Sequence, residues 1–222
     1  MGWQDLAFFH WPVETEPLAR RLPVGVQLDT FEGQAWLGIT PFLMTGVRPA
    51  YVPPVPGISK FCELNVRTYV IADGIPGIWF FSLDAAQVLA VSGARLFLNL
   101  PYHRCSASMK SIDGTIYWNS DRHGPPRARF AAEYRPIAES YRSKAGDLDH
   151  WFTERYCLYG ASRRGRPYRQ AIEHRPWPLQ PAEGHIAENT MLLANGLPEV
   201  DAPPLVHFAR SLDVWACLPE SV

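Results

Sequence analysis

The stretch FCELNVRTYV, residues 61–70, decides whether this chain encloses a polar interior. Successive side chains of a β-strand point to opposite faces. Cys62, Leu64, Val66, Thr68 and Val70 therefore make one nearly apolar face. Phe61, Glu63, Asn65, Arg67 and Tyr69 make the other, which carries an acid, an amide, a guanidinium and a phenol. Such a face either meets water or lines an enclosed space. Two features favour enclosure. Phe61 and Tyr69 share the face, and the following IWFFS, 78–82, is aromatic on both sides, as in a strand of a central pair. Neighbours on one strand face lie about 6.6 Å apart, so Glu63 and Arg67, about 13 Å apart, form no direct pair. If buried, each needs partners from adjoining strands. An enclosed carboxylate can have its pKa raised into the range useful for acid–base work.

Around this stretch the punctuation is that of a β protein. Residues 13–23 read as a short helix, with acids at the start, arginines at the end and Pro23 as the stop. Two strands surround the Glu32-Gly33 turn. RPAYVPPVPG, 48–57, reads as an ordered surface loop, because its prolines cannot donate to a ladder. Strands are predicted at 61–71, 78–83, 90–100, 115–122, 127–134, 168–174 and 204–218, and a helix over 146–159 with Asp147 as its N-cap. EHRPWPLQPAE, 173–183, reads as an extended clamp around Trp177, with His174 as a residue able to cap a cavity. The total is about nine strands, two short helices and no alternating βα pattern. This predicts a mainly β (α+β) single domain over 1–222, an antiparallel barrel or closed sheet with helical additions.

Composition narrows the function. The 222 residues carry 21 Lys plus Arg against 22 acids, a formal net charge of -1, so neither nucleic acid nor an anionic membrane surface is an expected partner. Only Lys60, Lys110 and Lys144 offer a side-chain amine. The four cysteines form no C-x-x-C pair and read as unpaired thiols of a reducing compartment. No segment reads as a signal peptide or a membrane span, so a cytoplasmic location is expected. The seven histidines show no metal-site spacing, and the phosphate and dinucleotide motifs are missing, so neither metal nor cofactor is expected. A second candidate centre is NLPYHRCSASMK, 99–110, where Pro101 reads as a strand end and Tyr102, His103 and Arg104 follow. Tyrosine and histidine both move protons and bind anions.

HWPV (10–13), RLPVGVQLDTFEGQAWLGITPF (21–42), ELNVRTYV (63–70), WFFSLDA (79–85), ARLFLNLPYH (94–103), ERYCLY (154–159) and RPWPLQPAE (175–183) together resemble the YqjF-like family of conserved bacterial proteins. That family in turn resembles acetoacetate decarboxylase in fold, which implies a cone-shaped antiparallel barrel with a central cavity. The decarboxylase forms a Schiff base through a lysine just after a strand-ending proline. The matching residues here, Tyr102 and His103, cannot form an imine. Its early substrate-binding arginine falls near Pro12, beside His10, and one of its two cavity glutamates falls near Leu37. The other matches Glu63. The resemblance therefore implies a cavity with one carboxylate and no amine.

The expected site has Glu63, Tyr102 and His103 as acid–base groups, and Arg67, Asn65, Tyr69, Arg95 and His10 as ligand-binding groups. The expected ligand is a small anionic organic acid or carbonyl compound, handled by a lyase or tautomerase without a Schiff base. The alternatives are a binding or sensing module without chemistry, and an interaction protein whose barrel is filled by Trp79, Phe81 or Trp177. Assembly into a homo-oligomer is left open.

Overall fold

The computed structural model describes residues 1–48, 59–87, 99–162 and 164–222. All but Arg48 of the loop expected at 48–57, most of the strand expected at 90–100, and Arg95 lie outside the described residues. The elements run β1 Gly2–Val13, α1 Thr15–Ala19, β2 Gln27–Leu28, β3 Ala35–Thr45, β4 Phe61–Ala72, β5 Ile75–Ala85 and β6 Tyr102–Ile112. They continue with β7 Thr115–Arg122, β8 Arg129–Pro136, α2 Leu148–Thr153, β9 Cys157–Ala161, β10 Pro167–His174, β11 Leu179–Asn189, α3 Met191–Ala194 and β12 Leu205–Ser221. Among the described residues no helix is long and apolar enough to cross a membrane.

The strand pairings close on themselves. β12 pairs β1, then β3, β4, β5, β9 and β10 follow, and β10 pairs back to β12. A second path leaves β5 through β6, β7, β8 and β11 and also rejoins β12. Among the described residues every strand pairing is antiparallel except β5 with β6 and β5 with β9, which are parallel.

β4 belongs to both enclosures. Its apolar face puts Leu64 and Val66 against Ala7, Phe9 and Trp11 of β1, Leu37 and Ile39 of β3, and Trp118, Phe130 and Ala132 of β7 and β8. Its polar face looks into the ring of β12, β1, β3, β4, β5, β9 and β10. There Leu6, Phe8, Phe42, Phe61, Ile172, Leu179 and Leu212 pack together, and Ile78, Phe80, Leu83 and Phe152 adjoin them. In β4 only Cys62 and Ile71 are half-buried and the rest is buried. A strand covered on both sides usually reads as a near-continuous apolar run, so the polar face of β4 departs from that pattern.

Several expectations needed correction. β1 was not foreseen, because with both faces covered GWQDLAFFHWPV shows no alternation. Tyr102 opens a strand where a working loop was expected after Pro101; Arg104, Ser106, Lys110 and Ser111 are exposed, which hides β6 in a polar-looking run. The helix expected over 146–159 ends at Thr153. Glu154 leaves helical geometry at φ -85, ψ 62, and Cys157 and Tyr159 become the buried alternate residues of β9. Part of the clamp at 173–183 is the start of β11, while Trp177 is buried against the rings of Trp3 and Phe8.

Candidate active site

Register places the polar residues in rows across three walls of the ring. Glu63 lies opposite Phe42 of β3 and Ala85 of β5. Asn65 lies opposite Thr40 and Leu83. Arg67 lies opposite Gly38 and Phe80, and Gly38 is itself opposite His10 of β1. Between the Val66–Ser82 and Arg67–Phe80 pairs β5 carries one extra residue, Phe81, a β-bulge that shifts the register at the arginine. At Gly38 a larger residue would crowd the side chains of both neighbouring strands. A Cβ on it would stand 3.1 Å from His10 Cδ2 and 3.4 Å from Arg67 Cγ.

Two polar centres result. At one end the Tyr102 hydroxyl donates to Glu63 Oε2 at 3.2 Å. Burial, opposed by that hydrogen bond and reinforced by the Asp84 charge, pushes the Glu63 carboxyl up to about 8. Desolvation and the neighbouring Glu63 raise the Tyr102 phenol well above its ordinary range. At the other end Arg67 Nη2 donates to Tyr69 Oη at 3.3 Å, and Tyr69 Oη lies 2.5 Å from His10 Nε2. A guanidinium can only donate. The phenol oxygen thus accepts from Arg67, and the direction of its second hydrogen bond, to His10 Nε2, follows the imidazole tautomer. Burial, the Arg67 charge and His207 hold the His10 pKa well below its usual value, so the ring is neutral. Burial raises the Tyr69 phenol against the opposing pull of Arg67.

The His10 ring is stacked on Phe152 of α2 at 3.8 Å between centroids and 6° between planes. Polar ties fix α2 in place. Tyr141 Oη donates to Asp149 Oδ2 at 2.5 Å, His207 Nε2 lies 3.0 Å from Asp149 Oδ1, and just beyond the helix Arg155 Nη1 meets Asp29 Oδ2 at 2.6 Å. His207 and Asp29 were not singled out from sequence; only contact across distant strands identifies them.

The inner face holds several buried polar atoms that have no hydrogen-bond partner: His10 Nδ1, Thr40 Oγ1, Asn65 Oδ1 and Arg67 Nε. Native interiors leave few such atoms, so a cluster on one face calls for an explanation.

The structure thus brings together Glu63 with Tyr102, and Arg67 with Tyr69 and His10, with Asn65 between the two centres. His103 goes elsewhere. It pairs with Asp84, and alternation puts it on the side of β6 shared with Ala107 and Met109, away from Glu63. Trp79 and Phe81 face away from the ring interior, whereas Trp177 packs inside it against Phe8, and the rings of Phe8 and Phe152 both reach the polar row. A 430 Å³ groove lined by Thr115, Tyr117, Glu133 and His185 opens on the outer face of β7, β8 and β11, and no residue of the polar row lines it. Chemistry, not groove size, locates the site. Sequence reasoning also missed a buried ion pair on the far face of β5: Arg122 Nε meets Asp84 Oδ1 at 2.6 Å and Arg122 Nη2 meets Asp84 Oδ2 at 2.7 Å. An aspartate in the apolar run WFFSLDA was the available signal. Among the described residues no cluster of His, Cys, Asp and Glu is placed to hold a metal ion.

Comparisons agree with this architecture. Residues 1–213 match the family described as "Uncharacterized conserved protein". The chain is 43% identical over 212 residues to "Uncharacterized protein YqjF" of Bacillus subtilis (strain 168), which covers 96% of this chain and 87% of that one. Among solved structures it is similar to the enduracididine biosynthesis enzyme MppR with HEPES buffer bound, at a TM-score of 0.68 and 12% identity over 100% of this chain and 86% of that one. It is also similar to acetoacetate decarboxylase from Legionella pneumophila subsp. pneumophila str. Philadelphia 1, at a TM-score of 0.61 and 12% identity over 100% of this chain and 86% of that one. At such identities these structures speak for the fold alone. By sequence the chain belongs to the YqjF-like family of conserved proteins, on an acetoacetate decarboxylase-like fold.

Proposed function

We propose that the chain holds a small organic anion within its strand ring and that Glu63 performs acid–base chemistry on it. The observation that carries this reading is Arg67. It is 5% exposed, and no carboxylate lies within ion-pair distance of it. Its guanidinium carbon lies over the rings of Phe8 at 5.0 Å and Tyr69 at 5.6 Å from their centroids. The stretches 49–58 and 88–98 contain no Asp or Glu, and position 163 is an arginine. A guanidinium stays charged in proteins, and a buried charge without a counter-charge costs several kcal/mol. A carboxylate ligand supplies the counter-charge and matches the two-pronged donor geometry.

Glu63 supplies the chemistry. Raised to about 8, it is mostly protonated at neutral pH and can give a proton to a carbonyl oxygen, then take one back from carbon as carboxylate. Tyr102 orients it. An imine route finds no support, because Lys60, Lys110 and Lys144 are all exposed, and Lys110 lies eight residues along β6 from Tyr102, roughly 26 Å away. Related folds make the ligand class reasonable: MppR has been solved complexed with pyruvate and with the condensation product of pyruvate and imidazole 4-carboxaldehyde. The reaction class that fits is a tautomerase or lyase acting beside a carbonyl. The close stacking of Phe152 on His10 favours a second reading, a binding or sensing module without turnover.

The test is thermal unfolding with and without a panel of small oxo acids. Wild type is expected to gain melting temperature with at least one acid. Arg67→Met is expected to melt higher than wild type without ligand, since it removes an uncompensated buried charge, and to lose the ligand response. Turnover lost in Glu63→Gln while binding persists supports catalysis; binding without turnover in either protein supports the sensing module. A response that survives in Arg67→Met sinks the assignment of the anchor.

A further inference from the structure

Resting on Arg67 as the anion anchor, we infer that α2 is a lid that stands shut over the centre of Arg67, Tyr69 and His10, and that a ligand reaches the guanidinium when Phe152 swings out. Phe152 is the side chain in the way. Its ring lies flat on His10 at 3.8 Å between centroids and stands 5.4 Å from the ring of Tyr69. It meets the Trp36 ring edge-on at 5.0 Å. Phe152 and Thr153 are the buried residues of the helix, while Leu148, Asp149, His150 and Trp151 are half-buried. Moving one aromatic ring therefore uncovers the centre.

The helix is built to lift as a unit. Its six residues are too few to hold a helix by themselves. Before it stands Gly146 at φ +96, a conformation that glycine adopts without strain. After it Glu154 leaves helical geometry at φ -85, ψ 62, and its Oε1 accepts from the Trp177 amide at 3.3 Å, which pins that end. The side-chain ties between α2 and the body gather on one carboxylate, since Asp149 takes the Tyr141 hydroxyl on Oδ2 and His207 Nε2 on Oδ1. Just past the hinge Arg155 is held by Asp29 and reaches back to the Trp151 carbonyl at 2.7 Å. The shut position also has a cost. Among the described residues His10 Nδ1 beneath Phe152, Nε1 of the Trp36 ring beside it and Nδ1 of His150 on the helix itself are buried without a hydrogen-bond partner. Lifting the helix gives all three to water. A short element with a single latch and polar neighbours that gain water on opening has the character of a lid.

Hydrogen–deuterium exchange read by mass spectrometry tests the lid. Amides of 148–153 are expected to exchange at a rate that low concentrations of guanidinium chloride leave unchanged, while those of β4 follow global unfolding. Asp149→Asn and Tyr141→Phe are each expected to speed exchange at 148–153 at least tenfold and to leave β4 as in wild type. Exchange at 148–153 with the denaturant dependence of β4, or unmoved by both variants, overturns the lid. Stopped-flow mixing with pyruvate, read by tryptophan fluorescence, separates the lid from the anchor. The observed rate is expected to level off at the opening rate as pyruvate rises, and Asp149→Asn to raise that plateau at least tenfold. Pyruvate binding at a rate that climbs without a plateau and is the same in both proteins overturns the lid and leaves the anchor standing. Local exchange at 148–153 in a wild type that binds no pyruvate supports the lid and counts against the anchor.

Discussion

At the residue scale the decisive facts are two charges treated oppositely. Arg67 is buried with no carboxylate within ion-pair distance, and burial drives Glu63 toward its uncharged form. Glu63 therefore makes stability depend on pH in a calculable direction. Its carboxyl stands at about 8 in the fold against an ordinary 4.5. Between those values the folded chain keeps a proton that the unfolded chain has lost, so stability falls as pH rises, by about 1.4 kcal/mol per pH unit within the window. Glu63→Gln keeps the shape of the neutral acid and removes the titration. Melting curves are expected to show wild type losing ground to Glu63→Gln steadily from pH 5 to 8; parallel curves would refute the buried neutral acid. Gly38 gives a second prediction at this scale. Its missing side chain is what lets the His10 ring and the Arg67 stem meet. Gly38→Ala forces a Cβ to within 3.1 Å of the imidazole, for a cost of about 1–3 kcal/mol in chemical denaturation and a weakened anion response. An alanine variant as stable and responsive as wild type would show that the row has slack. Glu63, Asn65, Arg67, Tyr69 and His10 were legible in the sequence because strand parity or a quoted motif pointed to them. The lack of a counter-charge at Arg67 was not, since it depends on which distant acids are absent from its surroundings.

At the element scale, legibility followed how each strand meets solvent. β7 was predicted at 115–122 and found there, because one side is buried and the other wet, so its residues alternate. β1, covered on both faces, and β6, polar for much of its length, carry no such signature. The helix predicted over 146–159 failed for another reason: its apolar spacing suited both a helix and the alternation of β9, and only the break at Glu154 separates them. What survives of that helix matters most to the site. α2 spans six residues and its N-cap Asp147 makes no side-chain capping bond, so packing, not helical propensity, holds it. Phe152 touches His10, Trp36, Tyr69 and Trp151. Phe152→Ala is expected to cost about 3–5 kcal/mol. It also wets the imidazole, so His10 is expected to titrate closer to the usual histidine range, read from its ring resonances by NMR. An unchanged His10 titration would mean that β1 and β4, not α2, keep that ring dry.

At the scale of the whole molecule, the two enclosures share the wall of β1, β3 and β4, and the polar row and the larger apolar core sit back to back across it. This explains how a small protein can bury so much polarity. The apolar face of each shared strand packs against β6, β7 and β8, which leaves the opposite face free to carry function. One polar tie crosses between the two. Arg122, at the end of β7, grips Asp84 of β5 with two short bonds and adds a third to Ser82 at 2.8 Å, and Asn195 next to α3 reaches the same serine at 3.0 Å. The pair is almost wholly buried, so desolvating two ions offsets much of their attraction. Removing one partner is a different matter from removing both. Asp84→Ala strands the guanidinium in the interior and is expected to cost about 3–5 kcal/mol, whereas Asp84→Leu with Arg122→Met together is expected to come close to wild type. Urea denaturation of the single and double variants decides the point. If the double variant is as weak as the single one, the tie contributes stability in its own right; if it recovers, the pair serves to set the register of β5 against β7, and among Arg67, Arg122 and Arg155 only Arg67 has no carboxylate within ion-pair distance.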